Sequence, residues 1–407
     1  MRVIVWGINY APELTGIAPY NVALCEFLRA KGDDVEMVTT FAYYPAWRKR
    51  EEDRHRLFRT NIINGVPVHR CWHFVPQHVS AWKRILHEAT FVITSTMRVL
   101  SRKRADVYVI VSPPLLLGMA AWFVTRFKRA PVVFCVKDLQ PDAAVGLGML
   151  KTGWFTRALY WLEGFAYKHA ARVVGISQEM LDAFRRKGVP ENKLFLFPDG
   201  VVLPNAVEIP TRGKFREKCG FVPDEFLAIY SGNLGVKQGL HILLEAAELL
   251  APPIRIVLCG DGAERAGLEK SLQDRHLTNV TMLPLQSDED YRRLLVDADV
   301  SLITQQSGSG NAFFPCKLLM TLAYSSPVVS VADEQSALAR VIAKGGFGKN
   351  IVPGKPEALA KTLRELAQDR QRLHEWGRAG RTYVERFEQT RLLEEFAIQL
   401  RSCSRDR

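Results

Sequence analysis

The sequence predicts an α/β protein built from two doubly wound parallel-sheet domains, and three observations support this fold class. The chain has 407 residues, which is more than one ordinary hydrophobic core organises, so two domains of roughly 200 residues are expected. Short apolar segments alternate with longer amphipathic segments along both halves, as in parallel sheets with helices on both faces. Glycine-bearing loops follow strands in each half, where such folds bind ligands.

The first half alternates predicted strands with predicted helices. Strands are expected at residues 3–6, 34–39, 107–111, 131–136, 172–176 and 194–197. Helices are expected at residues 20–31, 115–127, 155–170 and 178–187. A long polar loop is expected after the second strand. Right-handed crossovers would then place the loops that follow the strands at one edge of the sheet, where ligands bind.

The second half repeats this alternation and defines the domain boundaries. Its strands are expected at residues 226–230, 255–259, 280–283, 300–303 and 328–331, and its helices at 240–250, 263–275, 288–297, 317–324, 356–366 and 369–387. The pattern predicts an N-terminal domain at 1–200, a proline- and glycine-bearing linker at 201–213 and a C-terminal domain at 214–385. A last helix at about 386–407 is expected to pack back on the N-terminal domain.

The composition indicates a globular chain with reduced cysteines. Hydrophobic residues make up 47% and charged residues 24% of the chain, as in ordinary globular domains. The seven cysteines show none of the C-x-x-C spacing of metal or redox sites. The first strand follows Met1-Arg2 directly, so no signal peptide is expected. The apolar run at 109–124 contains Pro113 and Pro114 and is short for a bilayer span, so we expect a cytosolic location.

The net charge of +12 is concentrated in the first half. Residues 1–200 contain 28 Lys and Arg residues against 17 Asp and Glu residues, whereas the remainder is almost neutral. This asymmetry indicates that the N-terminal domain faces a phosphorylated substrate, an anionic membrane surface or nucleic acid. The sequence shows no helix-turn-helix, RNP or zinc pattern, which disfavours nucleic acid.

Two glycine loops of the second half predict a phosphate site. The strand at 226–230 runs into a turn that contains Gly232, Asn233 and Lys237, and an amphipathic helix follows. The next strand ends in a loop with Gly260 and Gly262. Glycines let a phosphate approach free backbone N–H groups, and a lysine at that position supplies a positive charge. The alternative is that Lys237 is an ordinary surface lysine.

Three further loops carry candidate residues. The segment before the helix at 317–324 has Pro315 in the first turn, where proline is favoured, and Lys317 beside it; an ordinary capped helix is the alternative. The loop after the first strand contains Gly16 but lacks the GxGxxG dinucleotide fingerprint. Asp138 follows the strand at 131–136, where acid–base groups would be placed. A flexible surface loop and a solvated aspartate are the alternatives for Gly16 and Asp138.

Residues 78–104 combine apolar and basic side chains. A basic helix with aromatic residues can lie on an anionic membrane. The predicted membrane-facing residues are Trp82, Lys83, Arg84, Arg102 and Lys103. A surface helix that packs on its own domain is an equally good interpretation of this segment.

Taken together, these motifs resemble the family-4 glycosyltransferases of the GT-B architecture, which consists of two Rossmann-like domains with a cleft between them. The segments NYAPELTG, KDLQPDAAVGLGML and GNLGVKQGL resemble in particular the group of colanic-acid fucosyltransferases and O-antigen aminosugar transferases. The resemblance implies a retaining transfer from a nucleoside-diphosphate sugar to a lipid-linked saccharide in exopolysaccharide or O-antigen assembly. GDP-fucose is the favoured donor and a UDP-N-acetylaminosugar the second, with no cofactor, no tightly bound metal and peripheral docking on the cytoplasmic membrane.

The resemblance also implies roles for single residues. Lys237 and Lys317 would face the donor diphosphate, Gly16 would let the first loop approach the same groups, and Asp138 would lie near the transferred sugar. The sequence departs from the family at two positions, because Ala312 and Met320 stand where many members carry paired glutamates. That departure motivates an alternative of another class, a non-catalytic GT-B scaffold that binds a nucleotide or a partner transferase at the membrane.

Overall fold

A computed structural model describes residues 1–13, 16–44, 46–78, 80–142, 153–308 and 317–405. The chain divides into two compact units, which are called unit 1 (Met1–Gly200 with Thr390–Arg407) and unit 2 (Val201–Gln389). Each unit is built around its own sheet with helices on both faces. The predicted fold class, two parallel-sheet α/β domains, is therefore confirmed.

Unit 1 contains a sheet in the order β3-β4-β2-β1-β5-β6-β7-β8, parallel except for the antiparallel pair β3–β4. Its elements in chain order are β1 (Arg2–Trp6), α1 (Ala18–Ala30), β2 (Asp34–Thr40), β3 (Phe58–Ile63), β4 (Val66–Cys71), α2 (Ala81–Ser101), β5 (Val107–Ser112), α3 (Leu117–Lys128), β6 (Val132–Val136), α4 (Trp154–His169), β7 (Arg172–Gly175), α5 (Gln178–Arg186) and β8 (Leu194–Leu196).

The hairpin β3–β4 corrects the prediction of one long polar loop between β2 and α2. Its turn consists of Asn64 and Gly65, both with positive φ (48° and 78°), and Asn-Gly is the sequence favoured for this two-residue turn. The signal was therefore present in the sequence. The polar residues of β3 obscured it, because β3 is an edge strand with one exposed face.

Unit 2 contains an all-parallel sheet in the order β11-β10-β9-β12-β13-β14. Its elements are α6 (Lys214–Cys219), β9 (Phe226–Ser231), α7 (His241–Glu248), β10 (Ile254–Cys259), α8 (Arg265–Asp274), β11 (Val280–Leu283), α9 (Asp288–Asp297), β12 (Val300–Thr304), α10 (Lys317–Ala323), β13 (Val328–Val331), α11 (Ala337–Gly345), β14 (Gly348–Ile351), α12 (Pro356–Gln368) and α13 (Arg370–Val384). The helices α6 and α11 and the strand β14 were not predicted from the sequence.

The last helix, α14 (Gln389–Arg405), completes the core of unit 1. Alternating residues of β1 point to opposite faces of the sheet. Ile4 and Trp6 pack with α2, α3 and α4, whereas Val3 and Val5 pack with α1 and α14. On α14, Phe396 stacks on Phe197 with ring centroids 4.3 Å apart. One face of the unit 1 sheet is therefore covered by a segment that follows unit 2 in the chain.

A buried carboxylate anchors the beginning of unit 2. Asp299 lies directly before β12 and accepts hydrogen bonds from the guanidinium groups of Arg212 (2.6 Å), Arg216 (2.6 Å) and Arg370 (2.7 Å). The backbone N–H of Leu227 donates a further bond of 2.8 Å. One side chain thus joins α6, β9, β12 and α13.

Candidate functional site

The glycine turns of unit 2 interlock at the carboxyl ends of β9 and β10. The N–H of Gly232 donates to Cys259 O at 2.9 Å, and the N–H of Leu234 donates to Asp261 O at 2.8 Å. A Cβ on Gly260 would lie 1.9 Å from the carbonyl oxygen of Gly232, and one on Gly262 would lie 2.4 Å from that of Leu234. Both glycines are therefore required by the packing of the two turns, and their role in donor binding stays a prediction.

Lys317 opens α10 and reaches across to the turn after β9. Its ammonium lies 3.7 Å from the centre of the Tyr230 ring and 3.3 Å from Ser231 O, which accepts a hydrogen bond from it. The Tyr230 hydroxyl donates to Asn233 O at 2.7 Å and fixes the ring. Burial of the ammonium lowers the pKa of Lys317 to about 7. The lysine therefore titrates near neutral pH, where an arriving anion would favour its charged form.

Gly232 lies directly against the Lys317 ammonium. Its φ of 143° is in a region that residues with a side chain rarely adopt, and a Cβ at this position would lie 3.5 Å from Lys317 Nζ. The backbone turn, the Tyr230 ring and the ammonium are thus brought together at the carboxyl edge of the unit 2 sheet. The predicted site residue Pro315, as well as Ala312, lies outside the described residues.

Lys237 lies on the same turn but in a different setting. It belongs to a short 3-10 helix, Val236–Gln238, and its side chain is exposed. Gly239 follows with a φ of 59° and separates Lys237 from α7. The carbonyl oxygen of Lys237 accepts a bond of 2.8 Å from the N–H of Gln306, which joins the β9 turn to the loop after β12. Asn233 is likewise exposed on this turn.

At the carboxyl edge of the unit 1 sheet, the structure reveals a partly buried ion pair that was not predicted from the sequence. The ammonium of Lys137, directly after β6, lies 2.5 Å from the carboxylate of Asp199. It also lies 5.1 Å from the ring centre of Tyr20 and 5.6 Å from that of Phe197. The predicted site residue Asp138 is the neighbour of Lys137 and is exposed. The pair therefore holds the backbone that presents Asp138.

The loop that contains Gly16 is fastened by a buried glutamate. One carboxylate oxygen of Glu13 accepts from the N–H groups of Tyr43 and Tyr44, both at 2.9 Å, and the other accepts from Asn9 Nδ2 at 2.8 Å. Gly16 has a φ of 67° and is exposed beside the Tyr44 ring. Glu13 was not among the predicted site residues, because an isolated glutamate in a loop carries no periodic signal.

An aromatic and histidine cluster fills the space behind these loops. The Tyr43 ring lies 5.0 Å from His73, 4.7 Å from His87 and 5.4 Å from Trp47, measured between ring centres. Burial, with the positive charge of Lys49 nearby, lowers the pKa of His73 well below its usual range, and burial lowers the pKa of His87 to about 4. Both imidazoles are therefore neutral at physiological pH.

We expect this cluster to make the folded protein sensitive to acid. A histidine with a depressed pKa takes up its proton in the unfolded chain first, near pH 6.5, so stability falls as pH drops below that value. Between pH 6.5 and 4.5, His87 alone should cost about 2–3 kcal/mol. Urea unfolding of the wild type and of His87→Asn at pH 7 and 5 tests this, with the exposed His55→Asn as control. An equal pH dependence in all three proteins would contradict it.

Helix α2 exposes an apolar stripe along its length. Trp82 is 62% exposed, and Ile85, Leu86, Ile93 and Met97 are also exposed at helical spacing.

The basic residues predicted to face a membrane have different surroundings. Lys103 is exposed, Lys83 lies beside the Trp82 ring, and Arg84 pairs with Glu88 at 3.5 Å. The prediction for Arg102 is corrected, because its guanidinium is bound to Glu36 at 2.9 Å. Within the described residues, no helix combines the length and apolarity needed to cross a bilayer.

The comparisons with protein families agree with the two-unit architecture. The family model described as "Glycosyl transferase 4-like domain" matches residues 15–200. The model described as "Glycosyl transferases group 1" matches residues 211–383. A relative from Escherichia coli strain K12, named as the colanic acid biosynthesis glycosyl transferase WcaI, is 30% identical over 375 residues. That match covers 90% of this chain and 92% of the relative.

Solved structures resemble the whole chain. Sucrose-phosphate synthase from Thermosynechococcus elongatus matches with a TM-score of 0.75 at 18% identity and covers 98% of both chains. Anabaena HepE in complex with UDP-glucose matches with a TM-score of 0.69 at 16% identity and covers 99% of this chain and 100% of that one. At such low identity, the likeness is one of fold.

Proposed function

Because this chain belongs to the group 1 glycosyltransferases, with a glycosyl transferase 4-like N-terminal domain, it is a glycosyltransferase, and we propose that it moves a sugar from a nucleoside-diphosphate sugar to a lipid-linked saccharide with retention of configuration. The relative WcaI is named for colanic acid biosynthesis, which supports a place in the assembly of a cell-surface polysaccharide. Within this proposal, unit 2 binds the donor and unit 1 faces the acceptor.

One observation carries the proposal: the Lys317 ammonium lies at the carboxyl edge of the unit 2 sheet, against the glycine turn that follows β9. Breaking the bond between sugar and diphosphate places negative charge on the departing oxygen. A cation fixed in advance stabilises that charge more than it stabilises the intact donor, and this difference accelerates the step. Lys317 supplies this fixed positive charge. Lys237, which is exposed on the glycine turn after β9, supplies a second positive charge.

We assign Asp138 in unit 1 a place near the transferred sugar. It is exposed at the carboxyl end of β6, on backbone held by the Lys137–Asp199 pair. GDP-fucose is the first donor to test, since the chain resembles fucosyltransferases of colanic-acid assembly. A UDP-N-acetylaminosugar is the second, and the complex of HepE with UDP-glucose shows that a protein of this fold binds a UDP-sugar.

Calorimetric binding of GDP, UDP, ADP and their sugars to the full chain tests the proposal. Selective binding of one diphosphate and its sugar, followed by transfer to a lipid-linked acceptor, is the expected result. The absence of binding to every member of the panel would overturn the assignment of unit 2 as the donor domain.

The alternative of a non-catalytic scaffold has one observation in its favour. Met320, at a position where many family members have a glutamate, packs half-buried against the hydrophobic core of unit 2. A methionine there cannot accept a hydrogen bond from a ribose as a carboxylate does. Incubation with the nucleotide sugar in the absence of acceptor separates the two functions. A transferase is expected to hydrolyse the donor slowly, whereas a scaffold would bind the nucleotide sugar and leave it intact.

Replacement of Lys237 by alanine should lower kcat/KM for sugar transfer about 100-fold. The loss corresponds to roughly 3 kcal/mol, which is typical when one group that stabilises developing negative charge is removed. The matched control is Lys270→Ala, which removes an exposed lysine from α8 in the same unit. Steady-state kinetics with the donor found by calorimetry give the comparison, and an unchanged rate would remove Lys237 from the site.

We further propose that unit 1 docks on an anionic membrane through the stripe on α2, with Lys83 and Lys103 as basic contacts. Each basic residue near such a surface contributes about 1 kcal/mol. Lys83→Glu/Lys103→Glu should therefore weaken binding to phosphatidylglycerol vesicles at least about 30-fold, since charge reversal exceeds simple loss. The wild-type affinity should also fall steeply with salt.

The matched control for docking reverses two exposed arginines elsewhere in unit 1, Arg54→Glu/Arg186→Glu. Vesicle co-sedimentation compares the two double variants at equal net charge. If both variants bind as the wild type does, or if both lose binding equally, the α2 surface is not the docking site.

A further inference from the structure

Three neighbouring strands of unit 2, in the order β9-β12-β13, end at the same edge of the sheet. The β9 turn (residues 232–239) carries Lys237, and the segment after β13 carries Asp333. Between them lies the β12 loop, which consists of residues 305–308. Ligands of parallel sheets bind at the carboxyl ends of the strands, so the contacts that hold this loop bear on the proposed donor site.

Asp333 holds the β12 loop with both oxygens of its carboxylate. One oxygen accepts a hydrogen bond of 2.9 Å from the Ser307 hydroxyl, and the other accepts a bond of 2.7 Å from the N–H of Gly308. Gly308 has a φ of 81°, which residues with a side chain rarely adopt. Hydrogen bonds to a charged acceptor are stronger than those between neutral groups. The carboxylate therefore fixes two consecutive residues of the loop.

The β12 loop is bound on its other side to the β9 turn. The N–H of Gln306 donates to the carbonyl oxygen of Lys237 at 2.8 Å. A Cβ on Gly239 would lie 3.2 Å from the Cα of Gln306, so the two backbones are in direct contact. The hydrogen bonds from Asp333 to the loop and from the loop to Lys237 thus form a continuous chain across three strand ends.

This chain matters because the side chain of Lys237 is exposed. Placing a flexible lysine side chain in one position costs conformational entropy. The cost is smaller when the backbone that carries the lysine is already fixed, and a charge fixed before the reaction stabilises a transition state best. The backbone of Lys237 is fixed through its carbonyl oxygen by the β12 loop.

We propose that Asp333 is a positioning residue for sugar transfer, which fixes the β12 loop and, through it, the backbone of Lys237 at the donor diphosphate. The inference rests on the proposed role of Lys237 in donor binding. A direct electrostatic role of Asp333 would have the opposite sign, because a carboxylate near a diphosphate repels it. Removal of Asp333 would then strengthen donor binding, whereas loss of positioning weakens transfer.

The test variant is Asp333→Ala, which removes both bonds to the β12 loop. It leaves intact the backbone bond of 2.9 Å that Asp333 O accepts from the N–H of Ser336 before α11. Asp333→Asn keeps one acceptor oxygen and is the conservative variant. The matched control is Glu334→Ala, which removes the same charge from the exposed neighbouring residue. The alanine variants are made in the wild type and in Lys237→Ala, and steady-state kinetics and amide hydrogen exchange compare them.

We expect Asp333→Ala to lower kcat/KM about 10-fold, as the loss of hydrogen bonds to a charged group implies, and Asp333→Asn to lower it less. Glu334→Ala should stay within about 2-fold of the wild type. In Lys237→Ala, the further change Asp333→Ala should cause no additional loss, because the group that it positions is absent, whereas independent damage would add. Exchange should become faster in the β9 turn and stay unchanged in β10.

Unchanged exchange in the β9 turn, or an equal loss of activity in both backgrounds, would overturn the proposal. Faster exchange in the β9 turn of Asp333→Ala together with unaltered transfer in Lys237→Ala would confirm the anchor and refute the donor role of Lys237. Failure of the inference and failure of the proposed function are therefore distinguishable.

Discussion

Replacement of Lys317 by methionine is expected to lower kcat/KM for sugar transfer by 100- to 1,000-fold, a loss of about 3–4 kcal/mol in transition-state stabilisation. Methionine keeps the unbranched apolar stem of the lysine side chain and lacks its terminal ammonium, so it removes the charge. The effect should exceed that of Lys237→Ala, because Lys317 is held by Tyr230 and Ser231, whereas Lys237 is exposed and must be ordered first.

The pH dependence distinguishes a fixed charge from a structural role. Because the pKa of Lys317 is lowered to about 7, the free enzyme loses this positive charge as pH rises from 6 to 8. The KM for the donor should therefore increase over that interval in the wild type and stay flat in Lys317→Met. Lys270→Met serves as the control of equal charge. A wild-type pH profile in Lys317→Met would refute the assignment.

The largest expected loss of stability follows from Asp299→Ala. The substitution leaves the guanidinium of Arg216, which is only 5% exposed, without its carboxylate, and it removes the acceptor of the Leu227 N–H. Breaking one side of a buried ion pair costs about 3–5 kcal/mol. We expect Asp299→Asn to lose less, because the amide oxygen still accepts hydrogen bonds from its neighbours.

Hydrogen exchange of peptides from β9 and β12 measures this loss within unit 2, since the chain has two units and a single unfolding midpoint would mix them. The exposed Asp274, at the end of α8, provides the control. Its replacement by alanine removes the same charge from a position where a carboxylate opposes the helix dipole, so protection should be unchanged or slightly higher. The free energy of local opening of these peptides should fall in Asp299→Ala relative to the wild type. A difference of less than about 1 kcal/mol, on the order of ordinary surface substitutions, would contradict the expectation.

The sequence predicted the elements whose signal is local. Strands such as β5, β9 and β12 are short apolar runs between loops, and their order led to the correct fold class. Lys317 and Gly232 could be proposed as candidate site residues, because glycine, proline and lysine near predicted helix starts have a physical meaning without any tertiary context. The strand β14 was missed, since its sequence Gly-Lys-Asn-Ile has weak strand propensity and relies on pairing with β13.

Features that depend on residues distant in sequence could not be predicted. Lys137 and Asp199 are 62 positions apart, and only the sheet brings the ends of β6 and β8 together. Arg102 looks like a membrane-facing arginine until Glu36, 66 positions away, is placed beside it by the fold.

The position of α14 has a consequence for biosynthesis. On the ribosome, the strands of unit 1 are made first, yet the face of the sheet that receives Phe396, Leu393 and Leu400 stays uncovered until all of unit 2 has been translated. Exposed apolar sheet surface invites aggregation during synthesis. Nascent unit 1 is thus a natural client for a holding chaperone, and a premature stop codon anywhere in unit 2 would damage the unit that precedes it as well.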